Sequence, residues 1–153
     1  MTNFIVRTPS ETEIDAIIEM GKVFWSHTLY ASRVPYDVES VKNTVYTCLE
    51  HNLLLVAFDG DKIAGFIGGV AAPIYTNKDI FIGQELFWWV QPEYRNKGAG
   101  QTLMDAIEQN AKEAGLAYWT MMYLVNIEPE KAKQVYVNRG YRETEIGFTK
   151  EIE

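Results

Sequence analysis

Val90-Gln91-Pro92-Glu93-Tyr94-Arg95-Asn96-Lys97-Gly98-Ala99-Gly100-Gln101-Thr102-Leu103-Met104 is the stretch on which the reading of this chain turns. Ahead of it runs Gly83-Gln84-Glu85-Leu86-Phe87-Trp88-Trp89-Val90, apolar, aromatic and of strand length. Behind it Leu103, Met104, Ile107, Ala111 and Ala114 recur at helical spacing until Gly115 supplies a stop. The order is strand, glycine-rich turn, helix. The first turn of such a helix presents main-chain N–H groups without intrahelical partners, at the positive end of the helix dipole. Gly98 and Gly100 carry no Cβ, so an anion can approach the main chain closely. Arg95 and Lys97 add positive charge nearby. A phosphate or pyrophosphate site is the natural reading.

Two common phosphate motifs do not fit. A P-loop needs Gly-Lys-Ser/Thr at its end, and that pattern is absent. A dinucleotide fingerprint needs a third glycine where Leu103 stands, and the turn comes late in the chain. The stretch instead resembles the acyl-CoA-binding signature of the GCN5-related N-acetyltransferase (GNAT) superfamily, Arg/Gln-x-x-Gly-x-Gly/Ala after a strand ending Val-x-Pro. Arg95, Gly98 and Gly100 occupy its defined positions, and Val90, Pro92, Glu93 and Tyr94 match its approach. A second stretch, Ala132-Lys133-Gln134-Val135-Tyr136-Val137-Asn138-Arg139-Gly140-Tyr141, resembles the family's C-terminal motif Ala-x-x-Leu-Tyr-x-x-x-Gly-Phe. Val135 replaces Leu and Tyr141 replaces Phe, which preserves apolar and aromatic character. Many members carry Asn three residues before the Ala. Pro129 stands there in this chain, which leaves Asn126 as the nearby substitute.

The bounds agree. At 153 residues the chain can bury a self-sufficient core, and it reads as a single domain over residues 1–153. No apolar run approaches membrane-spanning length, and Met1-Thr2-Asn3-Phe4 carries no basic region followed by an apolar stretch. A single cysteine, Cys48, excludes an internal disulfide and fits a reducing cytoplasm. A net charge of −7 argues against an extended nucleic-acid surface. No metal and no membrane partner are expected.

Taken in order, Phe4-Ile5-Val6-Arg7 reads as a first strand, and Thr8-Pro9-Ser10-Glu11 as a helix start with Thr8 as N-cap and Glu11 closing a capping box. Ile14, Ile17, Ile18, Gly21, Phe24 and Trp25 give that helix one apolar face. A second helix starts near Asp37, with Val38, Val41, Val45 and Leu49 inward and Cys48 a buried structural residue. Residues 52–58 and 63–70 are two strands joined by Asp59-Gly60-Asp61-Lys62, a hairpin signal. Gly65, Gly68 and Gly69 permit a bulge or close packing in the second of them. Residues 72–79 read as a surface loop, 116–124 as a further strand, and Glu128-Pro129-Glu130 as the start of a short helix stopped by Gly140. Residues 141–152 read as one or two closing strands. The result is an α/β (α+β) fold of GNAT type. The resemblance implies a mixed, mostly antiparallel central sheet of about six or seven strands with helices on both faces.

The same resemblance implies the chemistry: an N-acyltransferase using acetyl-CoA and releasing CoA, with Trp88, Trp89, Val90, Arg95, Asn96, Lys97, Gly98, Ala99, Gly100, Gln101 and Asn126 holding the cofactor. Main-chain N–H groups near residues 86–90, where the family's strand carries a bulge, would polarise the thioester carbonyl. An alkylamine is mostly protonated at neutral pH, so attack needs a base. Glu85 lies on the strand that leads into the turn and is the favoured base, acting directly or through water. His27 is the fallback. Tyr136 matches the family tyrosine that protonates the departing thiolate. The segment between the first two helices lines the acceptor site in the family, which points to Trp25, His27, Tyr30 and Arg33. The acceptor is a small-molecule or protein amine, and the resemblance leaves room for a homodimer. The competing readings are a silent CoA-binding sensor or scaffold module and a binder of other nucleotides or nucleic acid.

Overall fold

The computed structural model describes residues 2–153, so Met1 of the N-terminal stretch considered above lies outside it. The chain divides into two compact units, Met1–Met122 and Tyr123–Glu153. The first holds a five-stranded sheet in the order β1-β2-β3-β4-β5: β1 Ile5–Arg7, β2 Leu54–Asp59, β3 Lys62–Ile74, β4 Asn77–Val90 and β5 Tyr118–Thr120. Neighbours pair antiparallel except β4 with β5, which run parallel. Three helices accompany it: α1 Glu11–Ser26, α2 Val38–Glu50 and α3 Ala99–Glu113. The second unit contains α4, Pro129–Asn138.

The alternation of β2 explains the layering. Leu53, Leu55 and Ala57 point to one side and pack with Ala99, Leu103 and Ile107 of α3. Leu54 points to the other and packs with Ile14, Ile18, Val45 and Cys48 of α1 and α2. The sheet is therefore covered on both faces. Cys48 is fully buried, and burial pushes its thiol up to about 12. Tyr36 reaches back to donate its hydroxyl to the Ile18 carbonyl at 2.7 Å. A Cβ at Gly21 would meet that hydroxyl at 2.6 Å, so the glycine keeps the notch open.

Several boundaries differ from the sequence reading. The cap of α1 is Ser10, not Thr8: Ser10 and Glu13 form the capping box, and Arg7 grips the Glu13 carboxylate at 2.8 and 2.9 Å. Both Thr8-x-x-Glu11 and Ser10-x-x-Glu13 satisfy the local pattern, and the ion pair to β1 accompanies the second. Val38 is exposed rather than inward, because α2 buries Val45 and Cys48. Residues 72–79 are not a loop. β3 and β4 continue through them as a long hairpin closed at Tyr75-Thr76, with Pro73 paired to Phe81. β5 covers only part of the run expected at 116–124, and no strand forms in residues 141–153. The described sheet thus has five strands, fewer than the family pattern led us to expect.

Candidate active site

The glycines of β3 work at its contact with β4. Gly68 pairs with Phe87, and its neighbour Gly69 pairs with Glu85, so Leu86 is the extra residue of a β-bulge. A Cβ at Gly68 would lie 2.2 Å from the Phe87 ring, and one at Gly69 would lie 2.4 Å from the Gln84 carbonyl oxygen. On the opposite edge β5 pairs β4 only over Ile82–Gln84. Beyond Gln84 the two parallel strands have no further paired residues, and β4 runs on to Val90.

Glu85 sits one residue past the last of these pairs. It is 4% exposed, and its Oε2 accepts the main-chain N–H of Met122, just past β5, at 3.2 Å. Burial pushes its carboxyl up to about 8, and the Met122 N–H pulls it partway back. A carboxyl of that kind exchanges a proton near neutral pH, as a general base for an amine must. Next to it, the Gln84 amide lies 3.8 Å from the Met122 sulfur.

The turn that opens α3 has unusual backbone geometry. Pro92–Tyr94 form a short 3₁₀ turn, Asn96 has φ +62°, and Gly98, the N-cap of α3, has φ +99°. Gly98 contributes no side-chain cap, and a Cβ there would touch nothing. Its glycine is required by the left-handed backbone. Gly100 has a different reason: a Cβ would come within 3.1 Å of the Trp88 indole. Helix α3 is 15 residues long, so its N-terminus combines an open approach with a full helix dipole. That arrangement fits a pyrophosphate.

The two cationic side chains of the turn rest against aromatic rings. Arg95 folds back onto the sheet: its Nε donates to the Val90 carbonyl at 2.9 Å and its guanidinium lies 4.8 Å from the Trp89 ring centroid. Lys97 lies over Tyr94 at 6.0 Å. Trp89 is buried on the side of α1, with its Nε1 donating to Gln91 Oε1 at 3.0 Å. Phe24 meets its ring edge-on at 6.3 Å, and His27 stacks on it at 6.0 Å with 27° between the planes.

The acceptor-side residues fall into two groups. Trp25 stacks on Tyr30 at 6.1 Å and donates its Nε1 to the Val34 carbonyl across the 3₁₀ turn Leu29–Ser32. Arg33 caps that turn. His27 belongs instead with Trp89. In the second unit Tyr136 is 7% exposed, between Tyr123 at 6.5 Å and Tyr141 at 5.8 Å. Asn126 is exposed in the turn before α4. Sequence reasoning missed the contributions of Phe24, Gln91 and Met122, whereas the bulge at Leu86 falls in the stretch where the family resemblance placed one. The adjacent glycines Gly68 and Gly69 carried a second signal for that bulge.

The sequence model of the Acetyltransferase (GNAT) family matches residues 22–141, most of the chain. This protein belongs to the GNAT acetyltransferases. As a GNAT enzyme it is an N-acetyltransferase whose acyl donor is acetyl-CoA. Solved structures share the GNAT fold at low identity. A transcriptional regulator from Bacillus halodurans C-125 is 18% identical, with TM-score 0.75 and coverage of 98% of this chain and 100% of that one. An aminoglycoside acetyltransferase from an uncultured soil metagenomic sample is 17% identical, with TM-score 0.72 and 99% of each chain covered. AAC(6')-Iy in complex with a bisubstrate analog, CoA-S-monomethyl-acetylneamine, is 14% identical, with TM-score 0.72 and 99% of each chain covered. No curated protein matches the chain. Among the described residues no helix is long and apolar enough to cross a membrane.

Proposed function

We propose that this GNAT enzyme acetylates a primary amine of a small cationic acceptor by direct attack, with Glu85 as general base. The observation that carries the reading is a buried carboxyl one residue past the end of the β4–β5 pairing, bonded to the Met122 N–H and pushed by burial up to about 8. Acetyl-CoA supplies an activated thioester carbonyl. Its pyrophosphate would be held by the main chain of residues 96–101 at the start of α3, where Gly98 and Gly100 leave the approach open. Outward N–H groups of β4 past the Leu86 bulge would polarise the carbonyl oxygen. Glu85 takes one proton from the ammonium, the neutral amine attacks to form the C–N bond, and the C–S bond breaks. The thiolate gains a proton while the nitrogen sheds its second, so the net products are amide, CoA thiol and the proton held by Glu85. We assign the thiolate's proton to Tyr136, in the role its C-terminal motif has in the family. Asn126 is the remaining cofactor candidate in that unit.

A small amine is favoured over a protein amine because neighbouring structures include aminoglycoside acetyltransferases. Trp25, Tyr30 and Arg33 are assigned to the acceptor. Since the family match spans both compact units, we read residues 1–153 as one catalytic domain. The lone buried thiol of Cys48 supports a cytoplasmic location.

The test is transfer of isotope-labelled acetyl from acetyl-CoA into a panel of aminoglycosides, polyamines, amino acids and lysine peptides, read by mass spectrometry. Label should enter a small amine, and Tyr136→Phe should slow turnover about tenfold while still binding cofactor, since a thiolate leaves fairly easily unaided. Label confined to peptides would overturn the acceptor assignment, and an unchanged Tyr136→Phe rate would remove the acid.

A further inference from the structure

The Trp89 indole is the meeting point of two parts of the first unit that are far apart in sequence. One is the C-terminal end of α1, through Phe24 at 6.3 Å and His27 at 6.0 Å. The other is the turn before α3, through the Arg95 guanidinium at 4.8 Å. The ring is 5% exposed, and its Nε1–Gln91 bond fixes its rotation. Arg95 is also tied to the strand end through the Val90 carbonyl at 2.9 Å. β3 presses against the same place, because a Cβ at Gly65 would lie 2.6 Å from the Trp89 carbonyl oxygen. A shift of Arg95 therefore must be taken up by the indole, and a shift of the indole by Phe24 and His27. Close packing transmits such displacements rather than absorbing them.

We propose that Trp89 is a positioning residue that couples the acetyl-CoA turn to the α1 end, so that filling the turn orders the acceptor side. This inference rests on the functional reading above, which placed the cofactor at residues 96–101 and the acceptor against residues 25–33. It assigns Trp89 a role different from direct cofactor contact. The aromatic face carries the message: Arg95 on the ring responds to the anion bound beside it, and His27 on the ring belongs to the segment that receives the amine. Donor binding and acceptor binding are then linked, each favouring the other by the same factor.

Hydrogen exchange read by mass spectrometry on the full chain, with and without saturating acetyl-CoA, tests it. In the unsubstituted enzyme acetyl-CoA should slow exchange at residues 95–102 and also at residues 24–34. Trp89→Leu should bind acetyl-CoA about two- to fivefold more weakly, the size of a partly exposed cation–π contact. At saturation it should protect the turn and no longer protect residues 24–34. Arg95→Gln, which leaves the indole and its α1 contacts in place, should show the same loss and carries the test if Trp89→Leu does not fold. Protection of both segments in either variant would overturn the coupling, as would protection of the turn alone in the unsubstituted enzyme. Acetyl-CoA that binds without protecting residues 95–102 would remove the cofactor placement itself, and the inference with it.

Discussion

Glu85 and Gly98 show how differently two motif residues are constrained. Glu85 is held by its surroundings: it is buried, with a carboxyl that loses its proton near pH 8. Gly98 is held by its own backbone at φ +99°, with open space where a Cβ would go. Replacing Gly98 by Ala forces a side chain into a left-handed conformation and should cost about 1–2 kcal/mol of stability. Urea denaturation checks that figure, and calorimetry should show weaker acetyl-CoA binding in the same variant. The motif positions were legible because turn glycines and strand-end prolines act locally. The surroundings of Trp89 were not, since Phe24, His27 and Arg95 meet only after the chain has folded. The charge of Arg95 was visible in the motif, but not the indole on which its guanidinium rests.

The helices owe their limits to end chemistry that sequence reads well at one end and ambiguously at the other. Gly115 and Gly140 were visible as stops. Each forms a pair of bonds back into its helix: Gly115 N–H to Lys112 and Leu116 N–H to Ala111 in α3, Gly140 N–H to Val137 and Tyr141 N–H to Tyr136 in α4. Asn52, at φ +57°, ends α2 in the same way, and its amino-acid type gave less warning than glycine would. At the start of α1 two capping boxes overlap in sequence, and Ser10 takes the position. Ser10→Ala should therefore lower stability by about 1 kcal/mol, while Thr8→Ala should leave it nearly unchanged, both read from urea midpoints. A loss in Thr8→Ala with none in Ser10→Ala would return the cap to Thr8. The β3–β4 hairpin was read too short because Pro73 and Asn77 are turn-type residues, yet both lie within paired strands.

The order of strands and helices was legible through α4, because hydrophobic period and turn residues agree along that length. The closing strands were not: Glu143 and Glu145 alternate with Thr144 and Ile146, but a strand needs a partner edge as well as a pattern, and residues 141–153 form none. Folding also leaves a pH signature from Glu85. Its carboxyl titrates at its ordinary 4.5 when unfolded and at about 8 when folded, so between those values the folded chain keeps a proton that the unfolded chain has lost. The stability this group contributes is complete below 4.5 and is lost as pH rises through about 8. Glu85→Gln should remove that slope from the urea midpoint against pH, while other groups contribute equally to both proteins.

The central claim, that Glu85 is the base of an acetyl transfer, is met most directly by the pH–rate profile of CoA release, measured with the acceptor found by labelling. The unsubstituted enzyme should speed up as pH rises through about 8, because only the carboxylate form accepts the proton. Glu85→Gln should be slower by about a hundredfold or more and should lose that transition, keeping only the rise that the amine's own deprotonation imposes at higher pH. A variant with the full rate and the same profile would contradict the account and return the search for a base to His27.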